Sequence, residues 1–387
     1  MKAKPLFAIF IIVFIDILAF TLILPYLALF AERFGASPTQ VGLLITVFAF
    51  CQFLSGPTLG RLSDIYGRKP ILAISQLGTF IGFVLLATAG SLWMVFLARV
   101  VDGLTAGNIT VAQATISDVT EPKNRAKAFG IIGISFGLGF FVGPAISGFL
   151  VKYGYGAPAW AAAALSFASV FSTLFLLPVQ RPANPPRWNW KSNFIRIFDF
   201  GLIVSYLRRP LSRAPLLKFF LFNFSFSCII AGFALYAERR FTWHDHPFGA
   251  REIGYLYAYL GLIGIVIQGY LLGKVVDKFG EKKAAFGGLL CQGIGYLGYG
   301  LATGLRGLFG AATFASFGSG FSRASLMAQI SKSASPQEQG TILGVGQSLA
   351  AIASIFAPLL SGALIEHVSL EAWAFAAGIS ALSALFI

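Results

Sequence analysis

Runs of about 20 apolar residues, long enough as helices to cross a ~30 Å hydrocarbon core, recur from one end of this chain to the other. The first, AIFIIVFIDILAFTLILPYLALF, carries a single charge, Asp16. In a bilayer every backbone N–H and C=O must be bonded within the protein, so only helices or a closed barrel can span. The runs are continuous rather than alternating, which argues against a porin-like barrel. Of 387 residues, 57% are hydrophobic and 11% charged, more apolar surface than a soluble fold hides. The expected fold class is therefore an all-α membrane protein. Twelve transmembrane helices are expected, at roughly 5–31, 39–59, 70–90, 92–118, 127–151, 157–179, 214–237, 250–273, 283–302, 304–330, 340–365 and 370–387. The first is too long for a cleavable signal peptide and lacks a small-residue cleavage site.

The formal charge of +14 would suit nucleic acid, but its distribution does not. With the N-terminus placed inside, 21 of the 29 Lys and Arg residues fall in cytoplasmic loops or linker. Six fall outside (Arg33, Lys152, Arg239, Arg240, Arg251, Arg306), and Arg99 and Arg323 fall within spans. That asymmetry predicts both termini in the cytoplasm. It also predicts attraction to anionic membrane lipid, not binding of nucleic acid. Cys51, Cys228 and Cys291 all lie in spans and read as small packing residues. His244 and His246, in WHDHP, read as an ordinary polar loop, so no metal site is expected.

Residues 180–213 interrupt the pattern. RPANPPRWNWKSNF is rich in Pro, Arg and Trp, and FIRIFDFGLIVSYLRR reads as an amphipathic helix on the inner membrane face. The expected division is an N-terminal six-helix half (1–179), a cytoplasmic linker (180–213) and a C-terminal six-helix half (214–387). Internal similarity supports it. GRLSDIYGRK (Gly60–Lys69) falls on GKVVDKFGEK (Gly273–Lys282), and ATISDVTEP (Ala114–Pro122) on AQISKSASP (Ala328–Pro336). GPAISG (Gly143–Gly148) falls on APLLSG (Ala357–Gly362), and PTQVGLL (Pro38–Leu44) on AREIGYL (Ala250–Leu256). Duplicated six-helix units are a mark of secondary transporters, whose halves rock about a site between them.

These residues carry a resemblance. GRLSDIYGRKP resembles the loop signature of the major facilitator superfamily, G-x-L-(A/S)-D-x-x-G-R-(R/K)-x. LARVVDGLTAG, in the fourth span, is similar to that superfamily's R-x-x-x-G pattern. Gly139, Gly143 and Pro144, with Gly130 and Ser147-Gly148, resemble the proline-glycine motif of its proton-coupled antiporters, one glycine being replaced by Ser147. FIDILAFTLILPYLALF and YAERRFTWHDHPFGAREIGYLYAYLG resemble the first and the seventh and eighth helices of its twelve-helix drug exporters, the tetracycline/proton antiporters especially. The resemblance covers essentially the whole chain. It implies alternating access between two pseudo-symmetric halves, a small-molecule substrate, protons as coupling ion, no cofactor and a location in the bacterial inner membrane. A monomer is expected.

The GRLSDIYGRKP segment reads as a loop of about ten residues. Gly60 and Gly67 allow close packing, Asp64 lies near a helix N-terminus, and Arg68 can pair with Asp118. The positive-inside rule alone would be met by Lys69, with no need of an aspartate flanked by glycines. In the family such a cluster latches the outward-open state, which the resemblance implies here. Gly273, Asp277 and Gly280 form its counterpart. There Lys332 stands where Asp118 would, and Glu281 where Arg68 would, so a latch with exchanged charges is expected.

Asp16 lies about 16 Å into the first span at 1.5 Å per residue, near mid-membrane. An ionised carboxylate there costs several kcal/mol unless it is paired, wetted or protonated. It is either a structural acid held by hydroxyls or a carboxyl that gains and loses the coupling proton. Arg99 and Asp102 lie one turn apart in the fourth span. They form either a self-contained ion pair or, with Arg99 reaching Asp16, part of the proton site. Gln52, Asn108, Gln113, Asn223, Gln292 and Gln347 are candidates to line a substrate cavity. Gln76, Gln268 and Gln329 are further intramembrane amides, and some of all these must only join helices. Gly82 and Gln292 stand where the tetracycline exporters carry acids in helices three and nine, which favours a neutral or amphipathic substrate. No HExxH, nucleophile elbow or P-loop is present, so an enzyme is not expected. Two other readings stay open: a proton-independent facilitator or importer, and a non-transporting receptor or scaffold.

Overall fold

In the computed structural model, residues 3–120, 125–178, 200–335 and 338–387 are described. Helices α1 to α8 are Ala3–Ile23, Leu27–Glu32, Pro38–Tyr66, Arg68–Ala87, Leu92–Thr105, Asn108–Val119, Arg125–Leu150 and Ala157–Leu176. Then come α9 Phe200–Arg208 and α10 Pro210–Arg240, a two-residue-strand hairpin (β1 Thr242–Trp243, β2 His246–Pro247) and α11 Ala250–Val266. A π-helical turn, Ile267–Leu271, leads into α12 Leu272–Leu301, followed by α13 Leu305–Lys332, α14 Gln339–His367 and α15 Leu370–Ser383. Helix covers part of every expected span. Among the described residues nine stretches are long and apolar enough to cross a membrane, and one of them, Ala250–Leu301, contains two expected spans. Of the expected linker, 180–199 lies outside the described residues.

Three expectations change. The first span is two helices, because Pro25 has no N–H to donate and its ring breaks the helix between Ile23 and Leu27. The fourth span breaks at Ala106–Gly107. There the Ser75 hydroxyl lies within hydrogen-bond reach of Thr105 O and Asn108 Oδ1, with one proton to give, and accepts from Gly107 N at 3.1 Å, replacing bonds the break removes. The expected ten-residue loop at 60–69 contracts to a single residue. α3 continues to Tyr66, and the chain turns at Gly67 with φ +99°, open to glycine at little cost. Gly280 does the same inside α12 with φ +79°.

The helices gather into two compact units. One comprises Met1–Gly35, Val47–Phe198 and Ala250–Gly261, the other Ala36–Thr46, Asp199–Gly249 and Leu262–Ile387. In the first, α1 packs on α7 and α8, and α4 on α5 and α8. Lipid supplies no hydrophobic force between helices, so close approach of small residues and polar bonds must hold them. A Cβ at Gly143 would lie 2.1 Å from Thr21 Oγ1, and one at Gly139 2.6 Å from Ile17 Cγ2. The Thr21 hydroxyl donates to Gly139 O at 2.9 Å. Gly139 and Gly143 thus bring α7 onto α1, and Pro144 O lies 2.4 Å from where Gly254 would carry a Cβ.

In the second unit α12 packs along α13 and α15, and α10 along α14. A Cβ at Gly318 would meet Gln292 N at 2.2 Å, and one at Gly295 would meet Ala315 N at 2.4 Å. Cys228 O accepts from Ser361 Oγ at 3.0 Å and from Trp373 Nε1 at 2.9 Å, joining α10 to α14 and α15. The start of α3 belongs here: Thr39 N donates to Glu366 Oε2 at 2.9 Å, and Gly42 and Gly362 admit the backbones of Pro358 and Pro38.

Candidate functional site

Two charge clusters and one buried polar cluster hold the chemistry. At the α3–α4 turn, Arg68 is only 15% exposed and is shared among four groups. Its Nε donates to Asp118 Oδ2 at 2.8 Å, and its Nη1 lies 2.6 Å from both Asp64 Oδ1 and Ser63 Oγ and 3.5 Å from Gly60 O. The expected Arg68–Asp118 pair is therefore formed, and Gly60 contributes a carbonyl as well as room. The turn at Gly67 puts the last turn of α3 against the first residue of α4, which is why Asp64 reaches Arg68 one helical turn away.

The counterpart carries the exchanged charges. Lys332 Nζ lies 2.6 Å from Glu281 Oε1 and 2.8 Å from Oε2. Asp277 and Gly273 lie on α12 beside it, and Gly280 makes the turn.

The acid of α1 sits in a network that spacing alone did not reveal. Gln76 of α4 is fully buried, and its Nε2 lies 3.2 Å from Asp16 Oδ2 and 2.7 Å from Ser169 Oγ. Gln76 Oε1 accepts from Thr173 Oγ1 at 2.8 Å, and Ser166 donates to its backbone carbonyl at 3.1 Å. Ser169 Oγ also lies 3.5 Å from Ile12 O of α1. One amide thus joins α1, α4 and α8. The missed signal was a stripe: Ser166, Ser169 and Thr173 share one face of an otherwise apolar helix at i, i+3 and i+7.

Arg99 pairs with Asp102. Its Nη2 lies 3.1 Å from Asp102 Oδ2, and both side chains are almost fully buried. The guanidinium stands 5.4 Å from the Phe48 ring centroid and 6.0 Å from that of Phe83, a cation–π setting. Arg99 Nε and Tyr26 Oη are buried with no hydrogen-bond partner among the described residues. A Cβ at Gly82 would lie 2.8 Å from Asp102 Cβ, so the acid of α5 occupies the space a side chain at 82 would need.

The amides divide. Gln292 is fully buried and donates to Ser225 Oγ at 3.0 Å and Tyr296 Oη at 3.2 Å, while Asn223 donates to Phe219 O at 2.7 Å. Asn108 accepts from Ser75 at the α5–α6 break. Those three are engaged within their own unit. Gln113 and Gln347 are exposed and Gln52 is half-buried, so these three keep polar groups available. The His244–Asp245 turn has both residues at positive φ, as a tight hairpin requires.

The family model of the Major Facilitator Superfamily matches residues 9–358 and 267–387. The chain is 30% identical over 392 residues to the class H tetracycline resistance protein of Pasteurella multocida, covering 96% of this chain and 91% of that one. It is 30% identical over 341 residues to the class C tetracycline resistance protein of Escherichia coli, covering 87% and 82%. Its fold is similar to that of the human organic anion transporter MFSD10, with a TM-score of 0.76 over 99% of this chain and 98% of that one at 22% identity. Helices that bury their glycines against one another, two basic–acidic turn clusters and a match along nearly the whole chain converge: this is an integral multi-pass membrane protein that belongs to the major facilitator superfamily.

Proposed function

We propose that the chain is a proton-coupled exporter of a small amphipathic molecule, working by alternating access in a bacterial inner membrane as a monomer with both termini in the cytoplasm. The observation that carries the reading is the Asp16–Gln76–Ser169 cluster. It holds a carboxyl midway along the first helix in a chain whose relatives bear the names of tetracycline resistance proteins. A protonated carboxyl is cheap to bury and an ionised one favours a wetted, open state, so proton uptake and release can bias the conformational cycle. The Arg68 and Lys332 clusters act as latches in this reading. Gln52, Gln113 and Gln347 supply polar contacts to substrate. Gly82 and Gln292 stand at the positions of two acids of the tetracycline exporters, which favours a neutral or amphipathic substrate.

The test is flux of an amphipathic drug in proteoliposomes with and without a pH gradient, for wild type, Asp16→Asn and Asp102→Asn. Asp16→Asn is expected to bind and exchange the drug down its gradient but to lose accumulation against it. Full uphill accumulation by Asp16→Asn moves the coupling role to Asp102 or removes it. A second reading, a proton-independent facilitator, is favoured by one observation: the Gln76 amide already donates to the Asp16 carboxyl. Under that reading the pH gradient changes no flux.

A further inference from the structure

The segment Arg208-Arg209-Pro-Leu-Ser-Arg213 joins α9 to α10, and its three arginines have different surroundings. Arg209 is committed. Its Nη1 lies 3.1 Å from both carboxylate oxygens of Glu338, and its guanidinium stacks 4.1 Å from the Tyr206 ring. That fastening is reinforced by the Ser212 hydroxyl, which donates to Tyr206 O at 2.6 Å. Tyr206 itself is 2% exposed, packed with Leu216 and Phe219. α9 is thereby held against α10 and α14 by one face.

Arg208 and Arg213 have no acidic partner among the described residues. Both are exposed, and both line a groove of about 430 Å³ whose other walls are Val204, Leu207 and Leu217. Two unpaired guanidinium groups beside an apolar wall are matched by one chemistry, a phosphate ester carrying hydrocarbon. Guanidinium binds phosphate through paired N–H donors, and the leucines suit an acyl chain. The position agrees. α10, which is long and apolar enough to cross a membrane, begins at Pro210, and the outer side of this corner is apolar, with Leu211 70% and Phe200 58% exposed. Apolar residues flanked by arginines lie where headgroups meet acyl chains. The chain's own preceding segment is no substitute occupant: residues 180–199 hold four basic residues and one acid, Asp199.

We propose that the α9–α10 groove is a specific site for an anionic phospholipid, with Arg208 and Arg213 on the headgroup phosphate and Val204, Leu207 and Leu217 against the first part of an acyl chain. The lipid braces the helix that links the two sequence halves to the start of α10.

Binding of short-chain phosphatidylglycerol, short-chain phosphatidylcholine and inorganic phosphate to the full-length protein in detergent tests this, with native mass spectrometry and thermal unfolding as readouts. Phosphatidylglycerol is expected to bind more tightly than phosphatidylcholine and to raise the melting temperature, while inorganic phosphate does neither. Arg208→Gln/Arg213→Gln is expected to weaken phosphatidylglycerol binding about 30-fold, at roughly one basic-residue contribution each. Arg208→Lys/Arg213→Lys, which keeps the charges, and Lys278→Gln, which removes a cation elsewhere, are expected to retain most of it. Both Arg positions are exposed, so a monodisperse double variant is expected. If it fails to fold, the single variants Arg208→Gln and Arg213→Gln, each expected to weaken phosphatidylglycerol binding about 5-fold, read the same loss. Equal affinity for the two lipids, or unchanged binding in the double Gln variant, overturns the site. Stabilisation by inorganic phosphate equal to that by phosphatidylglycerol overturns the lipid assignment. The outcome is independent of whether Asp16 couples protons.

Discussion

Gln76 Nε2 stands between the Asp16 carboxylate, 3.2 Å away, and the Ser169 hydroxyl, 2.7 Å away. One buried amide therefore fixes the acid of the first helix relative to α4 and α8. Gln76→Leu keeps the volume and deletes every one of those side-chain bonds. It leaves Thr173 and Asp16 without those bonds, at a cost of about 2 kcal/mol. Thermal unfolding in detergent is expected to show a clear loss for Gln76→Leu and almost none for Gln113→Leu, whose amide is exposed. Equal melting temperatures would refute the anchoring role.

Arg68 is the hub of its cluster, so its removal releases Asp64, Asp118 and Ser63 together. The two carboxylates are about 40% exposed, which limits each pair to about 1 kcal/mol. That is enough to shift a balance between conformers of similar energy. Arg68→Ala and Asp64→Asn are expected to favour inward-facing states and to slow transport without unfolding the protein. The check is the accessibility of single cysteines to probes added from either side. Unchanged accessibility in both variants would leave the latch without support.

Topology is tested at two exposed positions of opposite assignment, one beside the Gly280 turn and one at the start of α13. Lys282→Cys is expected to react with an impermeant thiol reagent only after cells are opened, and Arg306→Cys in intact cells. The native cysteines give a low background, because Cys51 and Cys228 are buried and Cys291 is half-buried. Efficient labelling at position 282 from outside reverses the orientation.

Glu338 offers a pH dependence with a defined sign. The hydrogen bond from Arg209 holds its carboxyl below the ordinary value of 4.5. A folded-state value lowered in this way contributes its full share above the ordinary value and loses it as pH falls through the lowered one. Docking of α9 on α14 is thus expected to be intact at neutral pH and to loosen only in acid, below the ordinary carboxyl value of 4.5. Amide exchange in 200–208, corrected for its intrinsic pH dependence, should rise at low pH, and Arg209→Gln should produce the same rise at about pH 7. No difference between neutral and acidic pH in the wild type would show the pair contributes nothing to docking.

The parts of this molecule that were readable beforehand are those written in local pattern. Apolar runs mark where helices cross, and the Arg68–Asp118 and Glu281–Lys332 pairs follow from a motif and its displaced copy. The breaks were less readable. Pro25 was visible in the first span, but Gly107 also fits ordinary close packing, and only the Ser75 hydroxyl, 32 residues away, shows how the freed groups are met. The Gln76 hub was least readable, since nine intramembrane amides offer no choice among themselves. The partners that single it out lie 60, 93 and 97 residues distant in sequence. Period and composition report a residue's own face. They do not report which remote hydroxyl meets it.

The exchanged charges at Glu281 and Lys332 have a consequence for how such a turn can vary. Converting this pair one substitution at a time to the arrangement of Arg68 and Asp118 first sets two cations or two carboxylates within about 3 Å of each other. Either intermediate is worse than having no pair at all. The two arrangements are therefore separate islands, connected only by a simultaneous double change or by a detour through neutral residues. Each turn inherits its polarity as a unit, and a graft of one loop segment without its distant partner helix brings together charges that repel.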